Sequence, residues 1–410
     1  MMRPRTAILS LSAFLALFYP LVLWQQKSFF SSTPVMDDVT RWFWITQSLF
    51  LTVFFFAVSA GIRQKILCYA YITAASFFLA LATAEIYFKL LDIHETQREY
   101  HSAGSVYVKS GYTTHLQERD GSAPDHVLGH GPNPNGIVRV AARLVRGGKV
   151  IYDALYTRDA QGRRITPDRG DKADTAILLF GCSYTMGHGL NDQETFAWRL
   201  GEMLGERFQV FNYGYDGYGA HQMLALLESG RLTRLTQRYT QVYAFYLAIS
   251  VHEMRCVGIW PWNYSGPRYI LENGALRYAG KLNERPALTK FFSGSQAYVR
   301  VMRAYHRHLA PYSALDTLAA IIAKSMQELD TRYHAHALTV VYPDFTHIEA
   351  ILRDRGVRVL SLTGVMPDYV SEGKYDIEDD GHPNALANTR IAEALAEYIV
   401  KKTPGTKKRQ

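Results

Sequence analysis

Ser183, His382 and the paired carboxylates Asp379 and Asp380 are the residues whose types and spacing could together do chemistry. The serine stands in AILLFGCSYTMGHG (176–189), just past an apolar run and between glycines. A hydroxyl there gains nothing from packing. At the carboxyl end of a strand and the start of a helix, it would lie among unpaired N–H groups that carry partial positive charge. Such a place can stabilise an oxyanion. The plainer reading is a helix N-cap. No G-x-S-x-G occurs at this serine, which excludes the nucleophile elbow. Far downstream, YDIEDDGHPNALAN (375–388) sets the two carboxylates just ahead of His382. A histidine that takes a proton from a serine needs a partner to fix its tautomer and steady the imidazolium. Asp379 or Asp380 can supply it. Alone, D-D-G-H also fits a capped turn or half of a cation site.

Two further segments follow apolar runs. FNYGYDGYGAH (211–221) has its glycines in the order G-x-x-G-x-G, which is not the dinucleotide fingerprint. A tight turn that points a glycine N–H at an oxyanion fits it better. SVHEMRC (250–256) places His252 beside Glu253 without H-E-x-x-H spacing, so no metal site is read there. His252 is either a hydrogen-bond donor into the site or a histidine packed within its loop. The aromatic loop that follows carries Trp260, Trp262, Tyr264 and, further on, Tyr269. These rings either stack on sugars or close the site as a packed lid.

The elements that must position these residues are strands alternating with helices from Thr175 onward. AILLF (176–180), FQVFN (208–212), QVYAFYLAI (241–249), LTVVYP (338–343) and VRVLSL (357–362) read as buried strands. Helical patterns follow through ETFAWRLGEML, AHQMLALLESGRL and HIEAILRDRG, and a last helix begins at Pro383. Continuous apolar strands alternating with helices predict a parallel sheet covered on both faces. Such sheets carry their sites beyond the carboxyl ends of the strands. Residues 92–170 are turn-rich; IVRVAARLV and KVIYDALYTRD predict a hairpin joined at Gly147-Gly148, in a small β-rich linker or cap.

Ahead of these lie three apolar blocks, 7–24, 42–62 and 66–91, each reaching the roughly 20 residues that cross a bilayer. They predict a three-helix membrane anchor over 1–91. Arg3, Arg5, Arg63 and Lys65 mark the cytoplasmic side, which places everything after Leu91 on the outer, periplasmic side of an inner membrane. The net charge of +8 comes from scattered residues, with a basic tail at 403–410. Nucleic-acid binding, which concentrates Lys and Arg on one element, is not indicated. Three cysteines, one of them within an apolar block, are too few for a disulfide framework. Cys182 and Cys256 could pair, but packed thiols suit them better.

Taken together, residues 175–402 resemble the SGNH hydrolases, also called GDSL esterases and lipases. The first block of that family resembles GCSYT (181–185), its second resembles NYGYDG (212–217), and its last, D-x-x-H, matches Asp379 and His382. The resemblance implies a flavodoxin-like, three-layer α/β domain over 171–402. It makes Ser183 the nucleophile, His382 the base and Asp379 its orienting partner. The N–H groups of Ser183 and Gly217 become oxyanion donors, with Asn212 as a turn former. Two positions depart from the pattern. Cys182 stands where the family has aspartate, and AISVHEMR lacks the third-block asparagine. His252 or Ser250 would then take over that donor's role. What the resemblance implies is a membrane-anchored serine esterase without a cofactor, acting on an ester or acylated glycan of the cell envelope. An O-acetyltransferase of a surface polysaccharide, drawing on a membrane acyl-donor partner, is the second reading. A glycan-binding module without catalysis is the third.

Overall fold

The computed structural model describes residues 35–59, 64–102, 113–117, 123–144, 149–259, 265–284, 295–369 and 373–402. The first apolar block, Trp260, Trp262, Tyr264, the Gly147-Gly148 turn and the basic tail lie outside the described residues. Two compact units divide the chain: Met1–Ser102 with Lys109–Gly111 and Pro286–Met302, and all the rest.

In the first unit, helices Val35–Ser59 and Lys65–Ser102 pack along each other, with the Phe55 and Phe78 rings stacked at 5.6 Å. Among the described residues one segment, Lys65–Tyr87, is long and apolar enough to cross a membrane; Ser48–Ser59 is a shorter apolar stretch. Of the three spans expected from the sequence, one is thus found among the described residues, and the first lies outside them. The helix also continues eleven residues beyond Leu91, through a polar stretch to Ser102. Phe56, Ile66, Tyr69 and Phe77 all lie open on this pair. The return of Pro286–Met302 to this unit has a visible cause. Buried Glu85 accepts hydrogen bonds from the Ser295 hydroxyl and, at 3.0 Å, from the Ala297 N–H, at the start of helix Gln296–Ala304. A carboxylate is favoured at that end of a helix.

The second unit is built on the expected parallel sheet. Strands β6 (Thr175–Phe180), β7 (Phe208–Asn212), β8 (Gln241–Ala248), β11 (Ala335–Val341) and β12 (Val359–Ser361) lie in the order β12-β11-β8-β6-β7. Numbered within the sheet, that is the doubly wound order 2-1-3-4-5 read from the β7 edge. Every residue of β6 is buried, as a central strand covered on both faces requires. Along it, Ile177 and Leu179 join Phe196, Leu200, Ile391 and Ile399 in one core, beneath the paired helices Phe196–Leu204 and Ala385–Lys402. On the opposite layer, helices Ala220–Glu228 and Ala314–Thr331 pack together.

Around this sheet lie the small β elements. The hairpin forms as expected from β4 (Gly136–Leu144) and β5 (Val150–Arg158), with β1 (Thr113–Gln117) added on the far side of β4. A two-stranded ribbon, β2 (Ala123–Asp125) with β3 (Gly129–Gly131), completes the segment. These strands belong to the same compact unit as the parallel sheet, so no division between units falls at residue 170. A second hairpin, β9 (Pro267–Glu272) and β10 (Ala275–Lys281), turns at Asn273-Gly274 with φ of 51° and 77°.

The last helix begins at Ala385 rather than Pro383. Asn384 caps it, its Oδ1 accepting from the Leu386 and Ala387 N–H groups at 3.0 and 3.1 Å. Pro383 instead bridges to Asp376 in a short antiparallel contact.

Candidate active site

The opening stretch folds as its glycines demand. At Gly181 a Cβ would come within 2.1 Å of Thr185 Oγ1, so the chain can pass β6's end only as glycine. Ser183 then begins a single helical turn, Ser183–Met186, which Gly187 closes in a left-handed conformation. The Ser183 N–H has no acceptor among the described residues, as expected of a helix's first residues. Gly214 is equally constrained, since a Cβ there would lie 2.6 Å from the Met186 nitrogen. That close approach seats the loop after β7 against the serine turn. Asn212 fastens the junction: its Nδ2 donates to Thr185 O and its Oδ1 accepts from the Gly214 N–H, both at 2.9 Å. Gly217, at φ 78°, also has no acceptor for its N–H among the described residues.

His382 meets the serine across this floor. Its Nε2 lies 2.9 Å from Ser183 Oγ, and its Nδ1 lies 2.6 Å from Asp380 Oδ1. Here the structure corrects the sequence expectation, because the partner is Asp380 and not Asp379. Asp379 sits at φ 65° and pairs with Lys149 Nζ at 3.0 Å, and Glu378 holds the same amine at 2.9 Å. The left-handed turns at Asp379 and Gly381 reverse the chain within D-D-G-H. One Asp380 oxygen thereby reaches both the ring and the backbone N–H of His382. A D-x-x-H spacing carries no information about such a reversal.

Charge around the pair is set by burial and neighbours. Burial alone would raise Asp380, but its hydrogen bond to His382 and the nearby histidines hold it down at about 2. His382 is lowered from its ordinary range, first by burial and then by His188, against the pull of Asp380.

His188, Asp216 and Tyr152 were not anticipated. The His188 ring stacks on His382 with centroids 4.3 Å apart and planes 28° apart. Its Nδ1 faces Asp216 Oδ1 at 3.3 Å and its Nε2 faces the Tyr152 hydroxyl at 2.9 Å. The signal in the sequence was G-H-G: positive φ at Gly187 and Gly189 turns the intervening histidine back over the serine turn. Ligand atoms of His188, Asp380 and His382 lie within 4.8 Å of one another. Both nitrogens of each histidine already have partners, however, which suits proton handling rather than metal ligation.

The remaining sequence candidates are not brought to the serine. His252 is fully buried; its Nδ1 faces the Tyr246 hydroxyl at 2.7 Å, and no bond joins it to Ser183 or His382. An enclosed side chain cannot meet a substrate atom, so its place is that of a packed histidine. Ser250 gives its hydroxyl to Asp344 at 2.5 Å. Trp260, Trp262 and Tyr264 lie outside the described residues, while Tyr269 is buried and donates to Glu228 at 2.6 Å. Cys182 and Cys256 are buried free thiols.

No family model matches this chain, and no curated protein matches it either. Solved structures similar to it include a carbohydrate acetylesterase, Est24, from Sinorhizobium meliloti, at 10% identity and TM-score 0.32, covering 56% of this chain and 100% of that one. The aryl esterase of M. smegmatis is similar at 12% identity and TM-score 0.33, covering 55% and 98%. A lipolytic protein of the G-D-S-L family from Veillonella parvula is similar at 12% and 0.30, covering 54% and 97%. Likeness this distant assigns neither substrate nor activity.

Proposed function

We propose that this protein is a serine ester hydrolase, and the single observation that carries the reading is the continuous line Ser183 Oγ–His382 Nε2, His382 Nδ1–Asp380 Oδ1. His382 removes the hydroxyl proton as Ser183 Oγ attacks the ester carbonyl, and Asp380 holds the tautomer and steadies the imidazolium. Negative charge passes to the carbonyl oxygen. The free N–H groups of Ser183 and Gly217 are the donors for it. His382 returns the proton to the departing alkoxide, which leaves an acyl-serine. Water, deprotonated by the same histidine, then attacks the acyl carbon and restores Ser183.

His252 is enclosed and Ser250 is held by Asp344, so neither of these two is placed to replace the third-block asparagine as a donor. With the two backbone donors and no third, turnover should be modest, since one donor is typically worth roughly 10²–10³. A glycan-binding module without chemistry is disfavoured, because binding alone gives no reason to align a serine, a histidine and a carboxylate.

We further propose that the unit is tethered by the Lys65–Tyr87 span and acts on an acyl ester of the outer cell envelope, acylated glycan foremost. The open aromatic and aliphatic side chains on that helix support the tether. The test is fluorophosphonate labelling of the full chain in detergent, read by peptide mass. Adduct on Ser183 that vanishes in Ser183→Ala and His382→Ala supports the reading. A folded protein that takes no label defeats it. Supplying a sugar acceptor with an activated acetyl donor then separates hydrolysis from transfer.

A further inference from the structure

We infer that His188 is a positioning residue for this reaction: a cation, held by Asp216 and Tyr152, that lies flat against His382 and sets both its protonation and its ring orientation. The inference rests on the hydrolase reading for its purpose but not for its test.

The geometry leaves His188 little freedom to act on substrate itself. Both its ring nitrogens are occupied, one by Asp216 and one by the Tyr152 hydroxyl, so it has no free position for a substrate proton. What it presents to the site is a face. That face covers one side of His382, while Tyr184 stands edge-on at 5.3 Å and fixes Gly381 O through its hydroxyl at 3.0 Å. The His382 ring is therefore bounded by two other rings, in addition to its bonds to Asp380 and Ser183. A base held in one orientation spends less of its time away from the serine.

The surroundings favour charge on His188 rather than on His382. Burial works against it, but Asp216, bonded to the ring, and Asp380 nearby raise His188 above its ordinary range. The positive charge of Arg164 opposes this. Tyr152 and Tyr156 line the side given by β5, and Arg158 faces Asp216. On the other side stand His382 and Asp380. Two imidazoles in contact do not readily hold two protons, so they titrate as a pair. Each has a carboxylate and a hydroxyl of its own, and the difference lies in the wider surroundings, where burial and His188 lower His382 while Asp216 and Asp380 together raise His188 against its burial. His382 then stays neutral, ready to accept the serine's proton, at pH values where an isolated histidine would be protonated. Once charged, its imidazolium is the more acidic for the same neighbour and gives its proton readily to the leaving alkoxide.

The experiment reads His382 without turnover. In the full chain bearing Ser183→Ala, which frees Nε2, diethyl pyrocarbonate acylates only the unprotonated ring. The initial rate at the His382 peptide is followed by mass against pH. With His188 present the midpoint should fall below about 6.5, the ordinary histidine value. His188→Gln, which keeps a polar side chain but no charge, should raise that midpoint by about one pH unit, a tenfold loss of rate on the acid side. His188→Arg, a planar cation that can stack and pair with Asp216, should hold it near the parent's. A midpoint in His188→Gln equal to the parent's overturns the inference. So does a His188→Arg midpoint that follows His188→Gln, because charge would then not be the cause. Neither result depends on whether Ser183 hydrolyses any ester, so a failure of the hydrolase reading remains separately visible.

Discussion

Asp380 holds His382 twice with one oxygen: Oδ1 is 2.6 Å from the ring Nδ1 and 3.2 Å from the backbone N–H of the same residue. The ring and its main chain are thus fixed together, and Nε2 is left pointing at Ser183. Asp380→Asn keeps the shape but offers an amide where the ring needs an acceptor, so the wrong tautomer results. Steady-state esterase assays should show a loss of about 10⁴ in kcat. Asp379→Asn should change it no more than severalfold, since asparagine tolerates a left-handed φ and the lost pair with exposed Lys149 is a solvent-screened surface contact. Equal losses in the two variants would contradict the assignment.

The same pair makes stability depend on acid. Asp380 is held at about 2 in the folded protein, below the ordinary carboxylate value. Its contribution is therefore fully present above about pH 4 and lost as pH falls through the folded value. A depression of roughly two units corresponds to about 2–3 kcal/mol. His382, lowered in the folded state, acts in the same sense but higher up: protonation opposes folding as pH drops below the ordinary histidine value. His188 and Asp376, both raised in the folded protein, act in the opposite sense, so the share of the pair is read as the difference between parent and variant in denaturant unfolding at pH 7, 5 and 3. Asp380→Asn should flatten the lower step, and an unchanged lower step would place the acid sensitivity elsewhere.

Much of this molecule could be read from residue order, and what could not has specific causes. The five strands were legible as short apolar runs, buried at every residue in β6 and half-buried in the edge strand β12. Ser183 and His382 were legible because both lie just beyond the sheet or ahead of a helix, where side chains have no packing reason to be polar. Asp380 was misjudged in favour of Asp379 because the choice is made by a positive φ at Asp379, which the sequence does not display. His188 was missed for a related cause, its two flanking glycines folding it back. The role given to His252 failed on burial, since a histidine after a strand can turn inward to Tyr246 as easily as outward. The capture of Ser295 by Glu85 joins residues distant in the chain and left no local trace.

Asn212 tests the junction between the two loops. It is buried and makes two bonds that no backbone group can replace, one to Thr185 O and one from the Gly214 N–H. Asn212→Ala strands both partners without water, which should cost about 1–3 kcal/mol for each. Because those partners flank Ser183 and Gly217, the labelling rate of Ser183 should fall as well. Thermal melting together with labelling checks both; a melting loss with full reactivity would mean the serine turn holds its shape unaided.

Arg164 is the prediction with the largest expected cost. Its guanidinium is 2% exposed and pairs with Asp192, itself 7% exposed, at 2.8 Å. It also donates to Gly187 O at 2.6 Å and Leu155 O at 3.2 Å, reaches Leu190 O, and lies 4.0 Å above the Tyr156 ring. One side chain thus binds β5 to the loop that carries His188. Removing it leaves a buried carboxylate whose remaining donor is the Thr157 N–H at 3.2 Å. Arg164→Ala should therefore lose about 3–5 kcal/mol, measured by denaturant unfolding. The double variant Arg164→Met with Asp192→Leu removes both charges and should recover part of that loss. Its recovery should not extend to the site, because the carbonyls of Gly187 and Leu190 stay without their donor and His188 loses its hold. Stability regained with the slow labelling retained would separate the two roles of this arginine; full recovery of both would show that the loop needs no tie at all.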